Sequence, residues 1–75
     1  MEIAHILVKC EDNENDDVLE DIRSIREVKE VKKTFGAYNA VVRLEAESVS
    51  KIKKIMSEKI RNRHGILSTL TLVTA

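Results

Sequence analysis

Few side chains in this 75-residue chain are of the kinds that do covalent chemistry, and their spacing limits them further. Cys10 is the one thiol, and His5 and His64 are the two imidazoles. There is no CxxC or HxxH pair, and Cys10 with His64 falls short of the three or four ligands zinc takes, so no metal is expected. Asp12, Glu14 and Asp16 are spaced like the start of a calcium loop. Asp17, however, stands where such a loop needs glycine, and Arg23 where it needs a bidentate glutamate. No Ser/His/Asp or Cys/His arrangement has a supporting local signature, and no phosphate loop is present. The chain is therefore expected to be no enzyme and to carry no cofactor. What remains is suited to non-covalent recognition. Thr34-Phe35-Gly36-Ala37-Tyr38-Asn39 forms a glycine turn between two apolar runs, and Thr69 and Thr71 lie two apart in a third. On a strand, residues two apart share one face. Backbone N–H groups at such a turn can approach a carboxylate, and threonine hydroxyls can bond a ligand's polar groups. Each feature also has a purely structural use. Gly36 admits a positive φ, threonine favours strands, and Phe35 and Tyr38 suit a subunit contact as well as a pocket wall.

These residues need elements to hold them. Glu2 to Cys10, with Ile3, Ile6, Leu7 and Val8, reads as a strand ended by the polar stretch Glu11 to Asn15. Asn13 or Asn15 can cap a helix whose first turn holds Asp16 and Asp17, where the helix dipole favours them. Val18, Leu19, Ile22 and Ile25 continue it at helical spacing, so helix one is expected over residues 15–25. Val28 to Thr34 reads as a strand whose lysines suit an edge, and Gly36 breaks it. Asn39 to Glu45 is the next strand, hairpinned to the last. Ser48 can cap a second helix with the apolar stripe Val49, Ile52, Ile55, Met56 and Ile60. Arg61, Arg63 and His64 then complement its dipole, and Gly65 is its expected C-terminal cap. Ile66 to Thr74 is the fourth strand.

The resulting order is βαββαβ: an α+β sandwich in which two helices cover one face of a four-stranded antiparallel sheet. A solvated outer face would show clean alternation. Here Ile6 and Leu7, Val41 and Val42, and Leu72 and Val73 are apolar neighbours, so both faces need cover. A second copy of the sheet is the expected cover, giving a homodimer. His5, in the first strand, is expected at that interface or at the surface.

Composition bounds the rest. A chain this short is one domain with a thin core, and one cysteine allows no internal disulfide, which again favours association. Thirteen basic residues balance thirteen acidic ones, which argues against phosphate-backbone binding. The charge is unevenly placed. Residues 11–21 hold Glu11, Asp12, Glu14, Asp16, Asp17, Glu20 and Asp21, whereas 51–63 hold six cations against Glu58. Two solvated helix faces account for such a split, as does orientation of subunits. No apolar run approaches the ~20 residues that span a bilayer, no signal peptide is read, and a lone thiol suits a reducing interior. No membrane association and a cytoplasmic location are expected.

The strand with Val28 and Val31, the turn and strand from Gly36 to Val42, and the run Gly65-Ile66 to Val73 together resemble the effector-binding domain of Lrp/AsnC (leucine-responsive, or feast/famine) transcription regulators. This domain is also called the regulation-of-amino-acid-metabolism (RAM) domain. The resemblance covers nearly the whole chain, without the helix-turn-helix that family members usually carry in front, so a stand-alone version is expected. It implies a ferredoxin-like fold, dimers through the sheet (a dimeric α/β barrel), and often a ring of four dimers. It also implies an amino acid or similar small ligand bound between dimers, lined by Thr34, Gly36, Ala37, Tyr38 and Asn39 with Thr69 and Thr71. The family usually has Asp where this chain has Asn39, which accepts a hydrogen bond but brings no charge to a ligand ammonium group. Co-assembly with full-length regulators of the family is the implied route to transcription.

Three other readings stand beside this one. An assembly module of the same fold would bind no ligand. A small dimeric α/β-barrel enzyme would need titratable groups between helices and sheet, and the apolar stripes offer none beyond His5. A nucleic-acid role for the face from Lys51 to Arg63 lacks aromatic stacking partners.

Overall fold

The computed structural model describes residues 1–12 and 15–74, the last of these by its backbone. Strand β1 (Glu2–Cys10) leads to helix α1 (Asn15–Arg23), then to strands β2 (Val28–Lys33) and β3 (Ala40–Ala46). Helix α2 follows over Val49–Ile55 and continues without a break into a π-helical turn, Met56–Ile60. Strand β4 (Ile66–Thr74) ends the order. The sheet is antiparallel in the order β2-β3-β1-β4, which is the ferredoxin-like arrangement.

The register explains why apolar residues come in adjacent pairs. Ile6 pairs with Val42 on one side and Thr71 on the other, while its neighbour Leu7 pairs with Val41 and Leu70. Cross-strand partners point to the same face. One face therefore carries Ala4, Ile6, Val8, Cys10, Ala40, Val42, Leu44 and Ala46, all buried. Onto it the helices pack Val18, Leu19 and Ile22 from α1 and Ile52, Ile55, Met56 and Ile60 from α2 and its π turn. No polar or charged residue is buried among the described residues, so helix–sheet cohesion there is apolar. The opposite face carries Ile3, His5, Leu7, Val41, Leu70 and Leu72. Leu70 and Leu72 are 45% and 51% exposed.

Several local expectations need adjusting. Helix α1 stops at Arg23, not at residue 25, because both the backbone N–H and the hydroxyl of Ser24 bond back to the Asp21 carbonyl. Ile25 sits in the following turn, half-buried against the core. Asn15 is the first helical residue and not its cap, and Asn13 lies outside the described residues. Ser48 does cap α2, accepting from the Lys51 N–H at 3.1 Å. The helix ends at the π turn, where the Arg61 N–H reaches the Met56 carbonyl at 2.8 Å. Gly65, with φ +97°, therefore opens β4 several residues after the helix has ended, and His64 stands in the turn between them. The split of charge is partly spent within the fold. Arg63 pairs with Asp21, Lys33 pairs with Asp16, and Lys59 lies 3.9 Å from Glu27.

Candidate functional site

The glycine turn is built where three strands end together. The Thr34 N–H donates to the Asn39 carbonyl at 2.9 Å and closes the loop at its base. The Thr34 hydroxyl donates to the Tyr38 carbonyl, also at 2.9 Å. Asn39 then ties the loop to β1 from both of its polar ends. Its backbone N–H donates to the Val8 carbonyl at 2.8 Å, and its side-chain oxygen accepts the Cys10 N–H at 2.6 Å. Because Cys10 offers a donor, the amide orientation of Asn39 follows from the network: the oxygen is spent on the fold and the NH2 group is left for other partners. Gly36 has φ +106°, a left-handed conformation that side chains resist, yet a Cβ there would meet nothing within 4 Å. Backbone dihedral, not space, thus demands glycine.

Around this frame Gly36 and Ala37 are exposed, while Thr34, Tyr38 and Asn39 are half-buried. Phe35 is fully exposed at 105%. Burial pushes the Cys10 thiol above its ordinary pKa, which keeps it protonated and a packing group.

Thr69 and Thr71 lie on the helix side of β4, opposite Val8 and Ile6. Thr69 shares the turn's end of the sheet, because Val8 pairs with both Thr69 and Ala40. With β1 between them, about two strand spacings (~10 Å) separate β4 from β3. Thr71 lines a groove of about 470 Å³ between β4 and the second helix, with Ile52, Lys53, Met56, Ser57, Arg61 and Val73. Within one chain, then, the turn residues form one cluster and Thr71 belongs to another. Sequence reasoning missed the groove residues Lys53, Ser57 and Arg61. They sit at the π turn and its margins, and the apolar stripe carries no mark of a π turn. Among the described residues no group of three or more His, Cys, Asp or Glu side chains gathers as a metal site would require, and no helix is long and apolar enough to cross a membrane.

The family model of the Lrp/AsnC ligand binding domain matches residues 3–74. No curated protein matches the sequence. Among solved structures, hypothetical protein PHS023 from Pyrococcus horikoshii is 28% identical with a TM-score of 0.94, over 100% of this chain and 90% of that one. FFRP-DM1 is also 28% identical, with a TM-score of 0.96 over 100% of both chains. The transcriptional regulator NMB0573 from Neisseria meningitidis, solved with L-Met, has a TM-score of 0.89 over 99% of this chain and 49% of that one. Its 13% identity speaks for the fold alone. With the ferredoxin-like strand order and the glycine turn in place, a match running from the first strand to the last places this chain in the Lrp/AsnC ligand binding domain family.

Proposed function

We propose that this chain works as a single effector-binding domain in the cytoplasm, without enzymatic activity. It senses an amino acid or related small metabolite at contacts between its own copies. It passes the signal to transcription through its assembly, or through co-assembly with DNA-binding regulators of the same family. The observation that carries this reading is the glycine turn, held by four hydrogen bonds from within the chain. A turn fixed in advance spends little ordering entropy on a ligand. Gly36 and Ala37 offer backbone N–H groups, Tyr38 a phenol and Asn39 an amide NH2, a set rich in donors and suited to a carboxylate. The Thr34 oxygen, together with Thr69 and Thr71 from a neighbouring copy, supplies acceptors for an ammonium group. Copies meet first through the apolar sheet face, giving a homodimer, and such dimers associate further, a ring of four being the family's arrangement. A ligand lodged between dimers shifts their assembly by its differential affinity for the two states. The L-Met bound to NMB0573 is a precedent for the ligand class in that protein.

A thermal-shift screen against the twenty amino acids tests the ligand half. A concentration-dependent rise in Tm for one or a few is expected, since a ligand that binds only the folded state stabilises it. A flat Tm across the set would sink the sensing reading. It would leave a second one, an assembly module that binds no ligand. That reading is favoured by one observation: the Asn39 oxygen, where a charged partner for an ammonium group would stand, is neutral and already bonded to Cys10.

A further inference from the structure

Phe35 is a projecting ring and the groove beside β4 is a recess, and the two lie on opposite edges of the sheet. Phe35 stands at the tip of the β2–β3 turn, fully exposed, on a loop that Gly36, Thr34 and Asn39 hold fixed. An exposed aromatic ring on a rigid support is a poor surface residue and a good interface anchor. The groove has an apolar floor of Ile52, Met56 and Val73 and about 470 Å³ of space. A cavity of about 150 Å³ is enough to take a benzene ring in another protein. Strand order puts β2 and its turn at one edge and β4 at the other, so Phe35 cannot reach its own groove.

The charges around knob and hole are also opposite. Asn39 holds Cys10, after which come Glu11, whose N–H donates to the Gly65 carbonyl, and Asp12. The Lys33–Asp16 pair ties the acidic first turn of α1 to the end of β2 at the turn, where the two cations are both paired, Lys33 with Asp16 and Lys32 with Glu30 at 3.9 Å. The groove is rimmed by Lys53 and Arg61 with Lys54 beside them. Unlike Lys59 and Arg63, these three make no ion pair among the described residues. We infer that Phe35 of one copy inserts into the groove between α2 and β4 of a second copy, with the acidic end of one chain laid against the basic rim of the other.

This contact joins two different surfaces, so it repeats from copy to copy and closes a ring or extends an array, whereas a sheet-to-sheet contact stops at two. It brings Tyr38 of one copy near Thr71 of the next. The inference rests on the assembly half of the proposed function and not on the ligand half.

Sedimentation velocity of the full chain over a range of concentrations tests it. The wild type is expected to form species larger than a dimer. Phe35→Ala is expected to weaken that association by about tenfold or more, the scale of a buried aromatic anchor, and to leave Tm at high dilution unchanged. The double variant Lys53→Glu/Arg61→Glu is expected to do the same. As a direct readout of placement, a mixture of Phe35→Cys and Ser57→Cys chains is expected to give a disulfide-linked mixed pair on oxidation, in excess of either variant alone. Phe35→Ala assembling like the wild type, a wild type never larger than a dimer, or no excess of mixed pair would each overturn the contact. An amino-acid-dependent Tm shift retained in Phe35→Ala with unchanged mass would overturn this contact while leaving the effector reading standing. Phe35-dependent assembly with no amino-acid shift would do the reverse.

Discussion

At the scale of single residues, Asn39 decides most about the turn. Its side-chain oxygen receives the Cys10 N–H from a strand end 29 positions away in sequence, and its backbone binds both Val8 and Thr34. Replacing it by alanine leaves a part-buried N–H without a partner, a loss of about 1–3 kcal/mol that chemical denaturation would register. Asn39→Asp keeps the acceptor and adds a charge, so its stability should stay near wild type while any Tm response to amino acids grows. A response no larger than wild type would remove the charge argument. Gly36→Ala should destabilise by about 1–2 kcal/mol, the strain of a positive φ, with no clash to relieve. A loss below a few tenths of a kcal/mol in the same denaturation assay would contradict the backbone account. The need for glycine at position 36 was legible in the sequence, because a hairpin turn between two apolar runs demands a positive φ. The Asn39–Cys10 bond and the full exposure of Phe35 were not, since both depend on where β1 ends relative to the loop.

At the scale of elements, periodicity and glycine punctuation were enough to give every strand to within a residue or so. They were also enough for the sheet's two-faced apolar character, because adjacent apolar pairs such as Val41 and Val42 follow directly from register. Helix ends were less legible. Ser24 turns the chain back to Asp21 and strands Ile25 outside a helix whose spacing it fits. The π turn at Met56–Ile60 keeps the apolar stripe of an α-helix in the sequence, so only its i→i+5 hydrogen bond reveals it. Helix α1 is fastened to the end of β2 by Asp16 and Lys33. The hydrogen bond and the charge of Lys33 hold the Asp16 carboxyl below its ordinary 3.8. A depressed folded-state pKa adds stability that is fully present above the unfolded value and is lost as pH falls through the folded one. Acidification below that ordinary value should therefore lower Tm more in the wild type than in Lys33→Met, in which the pair is missing. Parallel acid limbs for the two proteins, measured by calorimetry, would show that this exposed pair adds nothing.

At the scale of the whole molecule, the unresolved demand is the uncovered sheet face. Ile3, Leu7, Val41, Leu70 and Leu72 form an apolar surface on a chain too small to leave it wet at no cost. A charge at its centre should separate copies without touching the helix-covered core. Introduced into the Phe35→Ala chain, so that only the sheet-face contact remains, Leu72→Glu is expected to shift the sedimenting species from dimer to monomer with far-ultraviolet circular dichroism unchanged, and a double variant that stays dimeric would place the interface elsewhere. On the two contacts proposed above, the sheet face would close a pair and the knob and groove at opposite edges would join pairs. On the proposed function, a small ligand between copies biases which of these assemblies is present. Static light scattering of dilute protein, titrated with each of the twenty amino acids, tests it most directly. At least one amino acid is expected to change the mean mass in a saturable, concentration-dependent way. A single mass, identical with and without every amino acid, would contradict it.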